Sequence, residues 1–204
     1  RVSVKDKSTG KTMDSAMQVI QDEQLSPILS ATAMFNVMDK VMDRVGAGSA
    51  KVSFEIMARN MPGDILKREN MFYSPGSIGE YAVGEFFEAM SLLADNQFNP
   101  VEIMDVKVNV TVEEERRTAA ILEAQAKTAS AKPGDKVDIA VKLKPFRGES
   151  FTKTVSYTIP KEQPEGPLTL EVRGGGMVPL TQLLLKKQGL DEDLFMPSKD
   201  RNKK

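Results

Sequence analysis

The 204-residue sequence contains no histidine and no cysteine. Histidine is the commonest general acid–base near neutral pH and the commonest metal ligand. Cysteine is a soft metal ligand and a ready nucleophile. Without them these residues hold no Ser-His-Asp triad, no Cys-His pair, no zinc finger and no imidazole metal site. Carboxylate chemistry, serine–lysine chemistry or no chemistry remains. Tryptophan is absent too. Apolar stretches are only a few residues long, so no transmembrane helix fits. The start does not read as a secretory signal. Arg1 falls inside a strand-like pattern, and the chain is expected to be a piece of something longer. With 28 basic and 29 acidic side chains the net charge is −1, which removes the basic field that non-specific nucleic-acid binding needs. The lack of cysteine gives no disulfide framework and suits the cytoplasm or an envelope compartment.

What is present suffices for a core. Apolar residues make up 40% of the chain and charged residues 28%, ordinary globular values, so burial can drive folding. Twelve methionines are many for this length. Core filling is the plain explanation, and a methionine-rich binding groove is the alternative.

Period and punctuation divide the chain. Val2 and Val4 alternate with polar residues, Asp6 to Lys11 turns at Gly10, and Thr12 to Ile20 is extended again, which predicts a β-hairpin. Gly10-Lys11-Thr12 resembles the end of a phosphate loop, but Lys5 stands where the first glycine is required. Ser26-Pro27 predicts a helix start. Ile28, Ala31, Phe35, Met38, Met42 and Val45 then mark one helical face, widened by Leu29, Val37 and Val41. Gly46 to Ser49 is read as a helix stop before a strand from Lys51 to Arg59. Met61-Pro62-Gly63 turns, and 65–73 is a second strand candidate. Ser77 and Glu80 have capping-box spacing. Ala82, Phe86, Ala89 and Leu93, with Val83, Phe87 and Met90, build a second amphipathic helix.

After Pro100 strict alternation sets in. Val101 to Val112 is a strand, Glu113 to Arg117 is read as a hairpin tip, and Ala119 to Lys127 as the returning strand. Strands follow at 137–143 and 151–159, a loop at 160–167, and a last strand at 168–172. Short alternating strands at this spacing predict an antiparallel β-sandwich. Gly174 to Gly176 frees the chain for a helix over 179–188 with Leu180, Leu183 and Leu184 inward, and 198–204 is a polar tail.

Candidate chemistry is sparse. Asp22-Glu23, Glu113 to Glu115 and Asp191 to Asp193 are acidic clusters without EF-hand spacing, and adjacent strand residues face opposite ways. They read as solvated loop charge. No serine and lysine share a recognisable motif. Arg173 beside glycines suggests an anion nest or, more simply, a hinge. Phe72 and Tyr73 suggest a ledge or packing for the second helix. No catalytic, cofactor-binding or metal-ligating residue is assigned, and no cofactor is called for.

Several runs together resemble one known region: QDEQLSP (Gln21 to Pro27), MDRVGAGSAKVSFEI (Met42 to Ile56), RENMFYS (Arg68 to Ser74), PVEIMDVKVNV (Pro100 to Val110), PGDKVDIAVKLKPFRGE (Pro133 to Glu149), TIPKEQPEGPLTLEVRGGG (Thr158 to Gly176) and LLLKKQGL (Leu183 to Leu190). The region is the non-catalytic segment downstream of the catalytic core in bacterial SpoIVB-type serine peptidase proteins. The family's Gly-Ser-Gly-Ser-Pro-like and Gly-His-Pro-like motifs do not occur here, so no catalytic residue carries over. The resemblance implies an extracytoplasmic home, with the peptidase core of the same polypeptide or another envelope protein as partner.

The expectation is α+β. Residues 1–100 form a mixed helix/sheet unit with a hairpin and two amphipathic helices. Residues 101–204 form an immunoglobulin-like antiparallel β-sandwich with a short C-terminal helix and tail. The boundary is soft, because the strand after Pro100 can pair back into the first sheet. The expected function is a non-catalytic accessory or protein-interaction domain, without nucleic acid or membrane insertion. A homodimer through an exposed edge strand is a further mode of partnering. The alternatives are a free-standing envelope adhesion or carbohydrate-binding module, for which aromatic platforms are scarce, and an enzyme using carboxylates or serine–lysine.

Overall fold

The computed structural model describes residues 1–42, 46–96 and 100–174. They form a mixed helix/sheet structure with two helices and eight strands in two sheets. Two compact units result among the described residues, the first built from Arg1–Glu114 and the second from residues 115–174.

The first unit opens with the predicted hairpin, β1 (Val2–Asp6) and β2 (Thr12–Ser15), paired antiparallel. Gly10 takes φ +74°, the left-handed conformation that glycine adopts without a Cβ penalty. Asp6 organises this turn. Its carboxyl is fully buried, and Oδ1 accepts the Ser8 N–H at 2.8 Å.

Helix α1 (Leu25–Met42) begins one residue before the predicted cap, and Ser26 lies inside it. Asp22 does the capping, with Oδ1 accepting the N–H groups of Gln24 and Leu25 at 2.9 and 2.8 Å. Ser26 Oγ donates to the Ile20 carbonyl and accepts the Asp22 N–H, so it ties the incoming chain to the helix. The buried stripe is Ala31, Met34, Val37, Met38, Val41 and Met42; Ile28 and Leu29 point to solvent, contrary to the expected face. Val45 lies outside the described residues.

β3 (Gly48–Arg59) and β4 (Ile65–Ser74) follow as an antiparallel pair. At Gly48 a Cβ would meet the Glu113 carbonyl oxygen at 2.7 Å, so no larger residue fits without backbone movement. Helix α2 (Ile78–Ala94) is capped by Ser77, whose side chain accepts the Glu80 N–H. Ala82, Phe86, Ala89, Met90 and Leu93 are buried as the spacing predicts, whereas Phe87 is exposed.

The strand after Pro100, β5 (Glu102–Glu113), does pair back. It lies between β1, to which it is parallel, and β3, to which it is antiparallel, in the order β2-β1-β5-β3-β4. The division of the chain therefore falls after Glu114 rather than at 100. The physical reason is burial: Val108, Val110 and Val112 share a face with Val2, Val4, Val52 and Phe54, and both helices pack on that face. The other face is polar, with Lys51–Glu69 and Lys67–Glu55 pairs across β3 and β4 at 2.9 and 2.7 Å.

The Lys67 ammonium holds the Glu55 carboxyl below the usual glutamate range. A depressed carboxylate stabilises the fold above its unfolded value and loses that contribution as pH falls through its folded value. The carboxyl carbon of Glu55 is expected to titrate below those of the unpaired glutamates in an NMR pH series. Loss of that difference in Lys67→Met would assign it to the pair.

The second unit holds one antiparallel sheet among the described residues, with β7 (Lys136–Pro145) between β6 (Ala119–Ala126) and β8 (Phe151–Thr158). β6 pairs with β7, not with β5, so Glu113 to Arg117 is not a hairpin tip but the passage between units. Val137, Ile139, Val141 and Ile159 form the small core. Residues 168–172, expected as a last strand, carry no strand pairing; Leu170 and Val172 instead pack against that core. Residues 175–204, where the C-terminal helix and tail were expected, lie outside the described residues.

Candidate binding groove

The first unit carries a groove of about 830 Å³ lined chiefly by four parts of the chain, with Arg1, Val2 and Asn60 beside them. The incoming segment supplies Met17, Val19 and Ile20, and α1 supplies Ser26, Ser30 and Ala33. Helix α2 contributes Phe86, Met90 and Ala94, and β5 with its approach contributes residues 100–106.

Each part is there for a local reason. The Asp22 cap and the Ser26–Ile20 hydrogen bond fold the segment before α1 back over the helix start. Ser26, Ser30 and Ala33 recur at intervals of four and three, so they lie on one flank of α1. Being small, they leave space there. Phe86 and Met90, each 1% exposed, close the floor against the core. Along the strand, Met57 pairs with Asp105 and Ala58 with Ile103, so Met104 is the extra residue of a β-bulge. A bulge re-aims the side chain it inserts, and Met104 is 43% exposed on the groove.

The polar features are few. The Gln21 side-chain amide donates to the Ile103 carbonyl at 3.1 Å, reaching from the incoming segment to β5. Asp22, Glu23, Glu102 and Asp105 line the groove against one cationic side chain, Arg1. Glu102 is paired with Arg59 at 3.4 Å.

The residues singled out from sequence are scattered by the fold. Asp22 is used at the start of α1. Glu113 pairs with Lys7 at 3.8 Å, and Glu115 with Arg117 at 2.8 Å. Asp191 to Asp193 lies outside the described residues. Among the described residues no group of three or more acidic side chains is placed to hold a metal ion. Gly10-Lys11-Thr12 forms the turn and the start of β2. Phe72 meets Tyr81 of α2 edge-on at 6.0 Å, and so packs the second helix. Arg173 is hydrogen-bonded to Glu171, whose carboxyl it holds below the usual range.

A methionine-rich groove is the alternative reading of the methionine surplus, but no motif indicates its position. Its one sequence signal is the surplus of methionine: Met34, Met38, Met42 and Met90 fill the core, while Met17 and Met104 sit half-exposed in the groove walls.

Comparison with family models, with characterised proteins and with solved structures gives no match for this chain. No helix among the described residues is long and apolar enough to cross a membrane.

Proposed function

We propose that the chain is a non-catalytic protein-interaction domain, accessory to a SpoIVB-type serine peptidase core in the cell envelope. The observation that carries the interaction reading is the groove, with its apolar floor, methionine walls and size in the range of ligand sites. The resemblance of runs such as PVEIMDVKVNV (Pro100 to Val110) supplies the family and the extracytoplasmic setting. The groove lends no support to serine–lysine chemistry. Ser26 and Ser30 line the groove without a lysine among its lining residues, and Ser26 Oγ is committed to backbone partners. Serine–lysine catalysis needs that lysine beside the hydroxyl.

The second unit fits the same reading as one layer of an immunoglobulin-like sandwich. Ile121 and Phe151 flank Leu143 in register, and Val155 flanks Ile139, so an apolar face extends beyond the small core. These three residues are 37%, 49% and 37% exposed, as a face awaiting a second layer would be.

The test uses the 204-residue chain with a separately produced SpoIVB-type peptidase core. Calorimetry is expected to show saturable binding, and the chain alone is expected to cleave no casein or peptide substrate. Turnover that survives repurification, or no binding to the core, overturns the reading.

A further inference from the structure

The groove's chemistry narrows the partner. We infer that it takes an extended peptide segment bearing apolar anchors and lysine or arginine side chains. This inference rests on the protein-interaction reading and names what that interaction recognises.

Three features lead there. The floor at Phe86 and Met90 is closed and apolar, so it rewards buried aliphatic or aromatic side chains. The walls at Met17 and Met104 are unbranched and adaptable, which suits side chains of varied shape. A backbone acceptor of β5 also faces this space. The Ile103 carbonyl accepts from the exposed Gln21 side-chain amide at 3.1 Å, and a peptide N–H displacing that amide makes an equivalent bond.

Charge sets the sign of the partner. Of the four lining carboxylates, Glu102 is neutralised by Arg59, and Asp22 is engaged with the start of α1. The Arg1 guanidinium and the Arg1 α-ammonium, which donates to the Val106 carbonyl at 2.6 Å, also line the groove, so with Arg59 three cations face four carboxylates and the rim keeps a net negative charge. A negative rim repels phosphates and acidic segments and draws in cationic ones. An uncharged apolar molecule would fit the floor but make no use of the rim.

The experiment is fluorescence anisotropy with the full chain and three labelled, acetylated octapeptides. The first carries leucines and lysines in a serine/threonine background. The second replaces its lysines by glutamate, and the third its leucines by serine. Only the first is expected to bind, more weakly as salt rises. Met104 stands exposed at the bulge, so it tolerates charge. Met104→Glu is expected to strengthen binding of the lysine peptide and Met104→Lys to weaken it, each by roughly two- to fivefold, the scale of a partly exposed ion pair. Ala33→Leu fills the groove and is expected to weaken binding by about tenfold or more, the loss of one well-buried contact. If Ala33→Leu lowers the melting temperature, the opposed Met104 pair decides.

Equal binding of the glutamate peptide, or Met104 variants that shift affinity in the same direction, overturns the inference. So does an absence of peptide binding. In that case binding of the peptidase core shows that the interaction reading survives without the groove, and its failure removes both.

Discussion

Replacing Phe54 by alanine is expected to destabilise the first unit by about 3–5 kcal/mol. Phe54 is 1% exposed at the middle of β3, and its ring meets the Phe86 ring edge-on at 5.4 Å with a 63° interplanar angle. The loss combines buried apolar area, a cavity between sheet and α2, and the aromatic contact. Neighbours cannot close that cavity cheaply, because Val108 and Val52 are branched and already packed. The check is urea denaturation followed residue by residue in amide NMR. Amides of β3 and β5 are expected to report the early transition, while Val141 and Tyr157 of the second unit keep their midpoint. Equal shifts in both units would mean that the two cores unfold as one.

The second large effect concerns Arg68 and Glu85. Arg68 stands on the helix-facing side of β4, and its Nε donates to Glu85 Oε1 at 2.6 Å. The side chains are 17% and 10% exposed. Asn70 adds a longer bond at 3.4 Å to the same oxygen, and Oε2 is buried without a hydrogen-bond partner. Arg68→Met therefore strands a carboxylate that has little other support. The expected cost is about 2–3 kcal/mol, below the full penalty of a deeply buried pair because some water reaches it. Arg68→Met with Glu85→Leu removes both charges and fills the same space, and is expected to lie within about 1 kcal/mol of the parent. A double variant as unstable as the single one would show that the pair holds β4 against α2 by geometry rather than by charge balance.

These predictions also show what the sequence could and could not say. Local period revealed the hairpin, both helices and the strands at 51–59 and 101–112, because each signal sits within one element, while 65–73 carried no clear period and stood only as a strand candidate. Partner choice did not show. Glu102–Glu113 alternates in the same way whether it opens a sandwich or lies at the centre of an earlier sheet, and the difference depends on Val2, Val4 and Val52 far away in sequence. The run Glu113 to Arg117 has the composition of a turn, which it shares with a passage between units. At α1 the serine–proline pair has the sequence form of a helix start, yet Asp22 makes the capping bonds. Ile28 and Leu29 matched the helical period but lie beyond the sheet's cover. The groove was least legible of all. It joins residues 17–33, 86–94 and 100–106, and no local pattern marks such a meeting.

The position of β5 has a consequence for how the chain is made. Synthesis delivers β1, β2, α1, β3, β4 and α2 before β5, yet β5 separates β1 from β3 in the finished sheet. Its pairings with β1 join residues more than a hundred positions apart, as Val2 does with Val108. Until residue 113 has left the ribosome, the β1–β2 hairpin and the β3–β4 pair have no strand to bridge them, and their inner edges stand open. Closure of the sheet is thus a late, long-range event with a large loop to order first, which is the condition for slow folding. The nascent segment from β1 to α2, before β5 emerges, is the form most in need of protection from other chains.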